Sequence, residues 1–290
     1  MSVVSKTDPA AAGTRRAIVQ GLAAVGAGVG NNALVQMLSS LPTAQIVILR
    51  AASTIILLAP LVVVQGLRIP TRIAVIRGAL EAAGTLLLVI ALVLSSLSFV
   101  STIMMIIPVG VMSAASVFIG EPISWRGRVL VLLSFGAALL ATAPVLSSNT
   151  TGAASAICSA LCYIARDLLT RKYPTIASSF EMSLLASGLT LLAIFLVFDP
   201  ARWQPVPMTL WPTVGGMVIL YVVSNLLIVA ATRHGPATLV ASTRYSAVIW
   251  AVLFDLALFK HIPTAMTLAA AGAIILCGLG LTFTERRSHP

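Results

Sequence analysis

The chain is short of charge, and of acid above all. Only 9% of its 290 residues are charged, with 8 aspartates and glutamates against 18 lysines and arginines. A soluble domain of this length needs a far more polar surface, so a water-exposed globular fold is excluded. Cysteine and histidine are equally scarce, at 3 residues each. Cys158, Cys162 and Cys277 all fall inside apolar runs, which excludes a disulfide framework. Cys158 and Cys162 lie four apart on one helix face, but no third thiol or imidazole stands near them in sequence to complete a metal site. His234, His261 and His289 fall in loops or the tail. There is no HExxH, no GxSxG, no phosphate-binding glycine loop and no carboxylate pair with a histidine partner. The expectation is a protein that is not an enzyme, runs on no ATP, and carries no cofactor and no metal.

What is abundant is apolar: 59% of the residues are hydrophobic, and the mean hydropathy is +1.04. The formal net charge of +10 could suggest nucleic acid, but the basic residues stand in small groups between apolar runs, without the aromatic interleaving of a nucleic-acid surface. The cytoplasmic face of a membrane accounts for them, and nucleic acid is not expected as a partner. Residues 1–14 read as a polar tail, and the apolar run from Ala17 is too long, and lacks the cleavage site, for a removable signal peptide.

A membrane span needs about 20 apolar residues. Runs that meet this requirement occupy 17–37, 43–65, 75–95, 98–119, 127–146, 152–171, 178–198, 210–231, 237–257 and 264–284. Breakers separate them, among them Pro42, Pro70, Pro122, the Ser147–Gly152 polar turn, Pro174, Pro200, Gly235-Pro236 and Pro263. The expected fold is an all-α integral membrane protein of ten spans. One set of alternate segments holds Lys6, Arg15, Arg16, Arg68, Arg72, Arg77, Arg126, Arg128, Arg166, Arg171, Lys172, Arg233, Arg286 and Arg287, whereas the other holds only Arg202 and Lys260. That asymmetry places both termini in the cytoplasm of a cell with the protein in its inner membrane. The chain also divides into two similar halves, 15–146 and 147–287, followed by a short tail at 288–290. Leu41-Pro42-Thr43 opens the second run and Tyr173-Pro174-Thr175 the seventh. Five spans per half is odd, so the halves insert upside down relative to each other, an arrangement that puts a substrate site near mid-membrane between them.

The stretch from Leu97 to Ser124 carries the clearest signature: an uncharged run with Pro108-Val109 at its middle, closed by Gly120-Glu121-Pro122-Ile123-Ser124. With the small-residue run Gly136–Leu140, the Gln45–Arg50 segment and Arg77–Thr85, it resembles the first repeat of EamA-type members of the drug/metabolite transporter superfamily. The second half is similar but eroded, with Ala247-Val248 in place of Pro-Val and Lys260-His261 in place of Gly-Glu, before a well-matched Ala271–Gly278. The resemblance implies two inverted five-helix repeats around a central cavity. It also implies a secondary transporter of small polar metabolites, with amino acids or related compounds first and export the leading direction. Import of a larger metabolite such as S-adenosylmethionine or a nucleotide is the alternative, and a lipid-handling or sensory membrane protein is the reading from another class. The partners implied are the small-molecule substrate and membrane lipid, with the protein monomeric or dimeric.

Charges at bilayer depth are the sharpest site signal, because each costs roughly 2.5–3.5 kcal/mol at a span centre on insertion scales. Arg50 and Arg244 lie about two turns into their spans and are candidates for the cavity, with a planar fork that matches a carboxylate. Tyr245 and Trp250 could add an aromatic face, although one helical step of about 100° should keep Tyr245 from facing the same way as Arg244. Asn32, Gln36, Glu81, Tyr163, Tyr221 and Asn225 complete the expected cavity lining, with helix-to-helix hydrogen bonding as the plain alternative for the amides. Glu81 and Glu181 are candidate proton carriers. Pro108 is expected to act as a hinge and Met105 as part of a gate. Glu121, Arg166, Asp167 and Asp255 are expected to reach the interface or pair near helix ends, and Gly26 with Gly30 to mark close helix packing.

Overall fold

The computed structural model describes residues 9–65, 70–118, 120, 124–173, 179–197, 202–234 and 243–288, and among these it contains helices and turns and no strand. The helices are α1 (Pro9–Met37), α2 (Thr43–Gln65), α3 (Arg72–Leu94), α4 (Leu97–Met104), α5 (Ile106–Phe118), α6 (Trp125–Ser148), α7 (Thr150–Lys172), α8 (Ser179–Val197), α9 (Trp211–His234), α10 (Ala247–Phe254) and α11 (Ala265–Ser288). Six helical stretches are long and apolar enough to cross a bilayer: Arg15–Met37, Thr43–Val64, Arg72–Leu94, Leu97–Phe118, Thr150–Thr170 and Met208–Ile228. Phe180–Phe195 and Ala265–Cys277 are shorter apolar helices. The Gly-Glu-Pro-Ile stretch of the sequence signature lies mostly outside the described residues, Glu121 included.

The most extensive packing joins the two halves of the sequence. Helix α1 runs along α9, α3 along α7, α2 along α8, α6 along α11, and α4 meets α10. Lipid is as apolar as leucine, so close approach and polar contacts must hold such pairs. The α1–α9 pair shows both devices. Ser224 Oγ donates to Ala24 O at 2.7 Å and Asn31 Nδ2 to Met217 O at 2.5 Å. A Cβ built on Gly28 would stand 3.1 Å from Ser224 Oγ. The α3–α7 pair uses the same chemistry, with Ser159 Oγ donating to Gly84 O at 2.7 Å. The expected close packing at Gly26 and Gly30 is within the chain: a Cβ on Gly26 would meet Trp250 at 2.9 Å, and one on Gly30 would meet Leu220 at 3.1 Å.

The fourth span is broken. Pro108 lacks an N–H and its ring crowds the carbonyl of Met104, so the helix interrupts at Met105, whose N–H is shared between Ser101 O and Thr102 O at 3.2 Å each. Its counterpart in the second half is also irregular, with a 3₁₀ turn over Arg244–Ser246, then α10, then a π turn over Asp255–Phe259.

One end of the bundle is tightly sealed. Leu38, Ile46, Leu92, Leu97 and Phe99, around the α1–α2 and α3–α4 turns, are 0–1% exposed. Gln45 clasps the 202–207 segment from the same end, donating to Gln204 O at 2.7 Å and accepting from Gln204 N at 3.1 Å.

Candidate functional site

Two connected compartments lie inside the bundle. The first, ≈ 200 Å³, sits between α2, α3, α7, α8 and α9 and is walled by Arg50, Thr54, Glu81, Thr85, Ser183, Ser187 and Thr190. The second, ≈ 360 Å³, lies between α1, the broken helix, α7 and α9, and reaches Asn31, Asn32, Met104, Ser224 and Arg244. Arg50, Tyr163, Arg166, Tyr221 and Asn225 border both. A more apolar recess of ≈ 170 Å³ on the side of the second compartment is lined by Val25, Val100, Met104, Met105, Pro108 and Tyr245.

A chain of alternating charge crosses the site from α3 to the 3₁₀ turn. Arg77 pairs with Glu81 at 2.6 Å, one helical turn on, and also donates to Thr170 Oγ1 at 2.9 Å. Arg166 approaches Glu81 at 3.5 Å and grips Asp167 Oδ1 through Nε at 2.8 Å and Nη2 at 2.7 Å. Asp167 Oδ2 then reaches Arg244 at 3.5 Å. The Arg166, Glu81 and Asp167 side chains are 15–20% exposed, enough shielding for these contacts to outweigh an ordinary surface pair. The Arg166 guanidinium also lies over the Tyr163 ring at 4.5 Å, and Tyr163 shares a 3.2 Å hydroxyl contact with Thr85.

Arg50 stands apart from that chain. It takes part in none of the ion pairs among the described residues, its Nη1 is buried without a hydrogen-bond partner, and its guanidinium lies 5.9 Å from the centroid of the Tyr221 ring. Leaving a charged donor buried and unpaired costs at least the ~1–3 kcal/mol of an unsatisfied polar group. Arg50, Arg166, Arg244 and Glu81 line the compartments, while Arg77 and Asp167 join them through ion pairs from outside the lining, so that four guanidinium groups meet two carboxylates. The site as built attracts an anion or the carboxylate of a zwitterion.

Of the residues expected from sequence, Arg50, Asn32, Glu81, Tyr163, Tyr221, Asn225, Arg244, Tyr245, Met105 and Pro108 border the compartments. Gln36 turns elsewhere and donates to Ser95 O at 3.2 Å. Trp250 packs over Gly26 and stacks on Phe254 at 6.5 Å between centroids, away from the cavity. Arg244 and Tyr245 both border the second compartment or its recess, against the expectation from an α-helical step, because they sit in a tighter 3₁₀ turn and the cavity wraps around it. Glu181 sits in the first turn of α8, outside the residues that line the cavity. Arg166 and Asp167, read from sequence as an interface pair, are indeed paired, but Arg166 belongs to the cavity wall. Asp255 is a plain correction: it is 0% exposed and points into the bundle, where its carboxylate finds the amino end of α4. The hydroxyls of Ser183, Ser187 and Thr190 were missed, although their spacing of four and three along an otherwise apolar α8 marks one face.

The sequence profile of the EamA-like transporter family matches this chain twice, over residues 17–143 and 147–284. The chain is 26% identical to the pseudopaline exporter CntI of Pseudomonas aeruginosa, strain UCBPP-PA14, over 88% of this chain and 92% of that protein. A crystal structure with 16% sequence identity superposes with a TM-score of 0.64, covering 94% of this chain and 99% of that one, and so shares the fold.

Proposed function

We propose, since this chain belongs to the EamA-like transporter family, that it is a secondary exporter of small carboxylate-bearing metabolites, amino acids or their relatives, working by alternating access. The protein is a multi-pass membrane protein and a transporter rather than an enzyme. The ten-span count, the inverted five-helix halves 15–146 and 147–287, the cytoplasmic termini and the inner-membrane setting belong to the same reading.

The observation that carries it is Arg50: a buried guanidinium nitrogen without a partner, in the wall shared by both compartments, beside Tyr221 and Asn225. A cargo carboxylate supplies the missing acceptor, and the planar fork orients it. An amino group on the cargo has Glu81 within the same compartment. With the α1–α2 end sealed by its apolar residues and by Gln45, the cavity takes cargo from the opposite, arginine-rich end, which the charge distribution makes cytoplasmic. Pro108 and the 3₁₀ turn at Arg244 provide the flexible points about which the halves rock.

The test is counterflow in proteoliposomes loaded with a labelled pool of amino acids, with pseudopaline, the cargo in the relative's name, as a separate arm. Saturable efflux of carboxylate-bearing members is the expected result. Preferential uptake of a nucleotide or S-adenosylmethionine would shift the reading to import. Absence of saturable flux for every compound, with the protein folded, would remove the transporter assignment for small carboxylates.

A further inference from the structure

The carboxylates of the ion chain are fully committed. Glu81 Oε2 meets Arg77 Nη1 at 2.6 Å, and Glu81 Oε1 meets Arg166 Nη1 at 3.5 Å. Asp167 Oδ1 is held by Arg166 Nη2 at 2.7 Å, and Asp167 Oδ2 by Arg244 Nη1 at 3.5 Å. All four carboxylate oxygens of the pair therefore already face a guanidinium group. A cargo ammonium that approaches Glu81 has to share an oxygen with an arginine, which reduces what the contact contributes.

The guanidinium groups are committed unequally. Arg77 has Glu81 and the Thr170 hydroxyl, and Arg166 has both carboxylates and the face of Tyr163. Arg50 has a buried Nη1 without a partner and joins none of the ion pairs among the described residues. Arg244 has a single ion pair among those residues, at 3.5 Å, longer than a charge-assisted hydrogen bond, and the same Asp167 is held more closely by Arg166. The Arg244 side chain is 49% exposed.

Four guanidinium groups against two carboxylates leave an excess of two positive charges, and Arg50 and Arg244 are the two with binding capacity left. Both border the larger compartment, Arg50 from α2 in the first half and Arg244 from the 3₁₀ turn in the second. Only Arg50 also borders the smaller compartment, and only Arg244 the apolar recess, so the excess charge is presented at two places. The ≈ 360 Å³ of the larger compartment falls within the roughly 300–1,000 Å³ of small-molecule sites.

We propose, resting on the carboxylate-transport reading, that the preferred cargo carries two separate acidic groups, one received by Arg50 and the other by Arg244. The second acidic group takes Arg244 from Asp167 Oδ2, while Arg166 keeps Asp167 through Oδ1, so no carboxylate of the wall is left unpaired. A cargo with one carboxylate fills Arg50 and leaves one positive charge of the site unmatched. Discrimination between the two comes from that unmatched charge.

The experiment uses the full chain in proteoliposomes. Counterflow of labelled asparagine and glutamine, with one carboxylate each, is compared with that of labelled aspartate, glutamate and aminoadipate, with two. In the parent protein the best of the two-acid compounds should have a half-saturating concentration about five- to tenfold below that of the better amide, the scale of one partly exposed charge contact. In Arg244→Gln that ratio should fall to near unity, and Arg244→Lys, which keeps the charge, should largely restore it. Sulfate, whose two charges sit on one centre, should compete poorly with the two-acid compounds. Amides that equal or surpass every two-acid compound in the parent, a preference that survives in Arg244→Gln, or sulfate that competes as well as glutamate would overturn the proposal. Saturable flux of the amides alone removes this proposal and leaves carboxylate transport standing, whereas no saturable flux of any of these compounds removes both.

Discussion

The two broken helices reach a similar shape by different means. In the first half, Pro108 takes a donor out of the chain and the break appears at Met105, three residues earlier, among uncharged neighbours that are mostly buried. The break in the second half, between Thr243 and Phe259, contains no proline. The irregular turn lies at Arg244–Ser246, where Ser246 Oγ donates to Thr243 O at 2.7 Å and Arg244 reaches out to Asp167. One break is covalent and permanent; the other is held by polar contacts that can be exchanged. We propose that both breaks are flexible points, the proline-made one the less exchangeable and the Arg244 turn the one that responds to cargo.

Arg244→Ala strikes hardest at that contrast. It removes both the cavity cation and the 3.5 Å ion pair with Asp167, which is worth only about 0.2–1 kcal/mol by itself because the Arg244 side chain is half exposed. With the loss of the cavity cation added, flux should fall about tenfold, the equivalent of about 1.4 kcal/mol, with membrane insertion unchanged. Equal flux in Arg244→Ala and the parent protein would mean that the second break plays no part in transport. Pro108→Ala restores the missing donor and lets the two helical pieces join, so flux should drop severalfold while thermal stability holds or rises. Loss of stability without loss of rate would contradict the hinge. The smallest effect is expected from Ala247→Pro, which places a proline where the first half has one. Ala247 is the first residue of α10, a position that tolerates proline, and only its N–H contact to Arg244 O is lost, a matter of about 1 kcal/mol. A melting temperature far below the parent's would show that the second break depends on that bond.

Much of this was legible in the sequence, for reasons that differ by residue. Span positions follow from apolar length alone, and the described helices begin and end close to where the polar and proline-rich turns place them. Arg50 and Arg244 could be found because depth along a helix makes lipid exposure expensive. Direction around the helix axis was harder to read. Trp250 lies in the same span as Arg244 but packs on Gly26, and Gln36 lies one turn from Asn32 but binds the α3–α4 turn. Asp255 looked like an end-of-helix group because its distance from the membrane edge is small. What buries it is the partner helix α4, which sequence position does not reveal. The ion chain through Arg166 required three elements to meet, α3, α7 and the Arg244 turn, and no local spacing encodes that meeting.

In the proposed transport cycle, Arg50 receives the cargo's carboxylate. Its most direct test is counterflow of the labelled amino-acid pool in proteoliposomes containing the parent protein, Arg50→Lys or Arg50→Ala. Expected are saturable flux of carboxylate-bearing compounds in the parent, a rise in the half-saturating concentration for Arg50→Lys, and no flux above empty liposomes for Arg50→Ala at equal reconstitution. Undiminished flux in Arg50→Ala would contradict it.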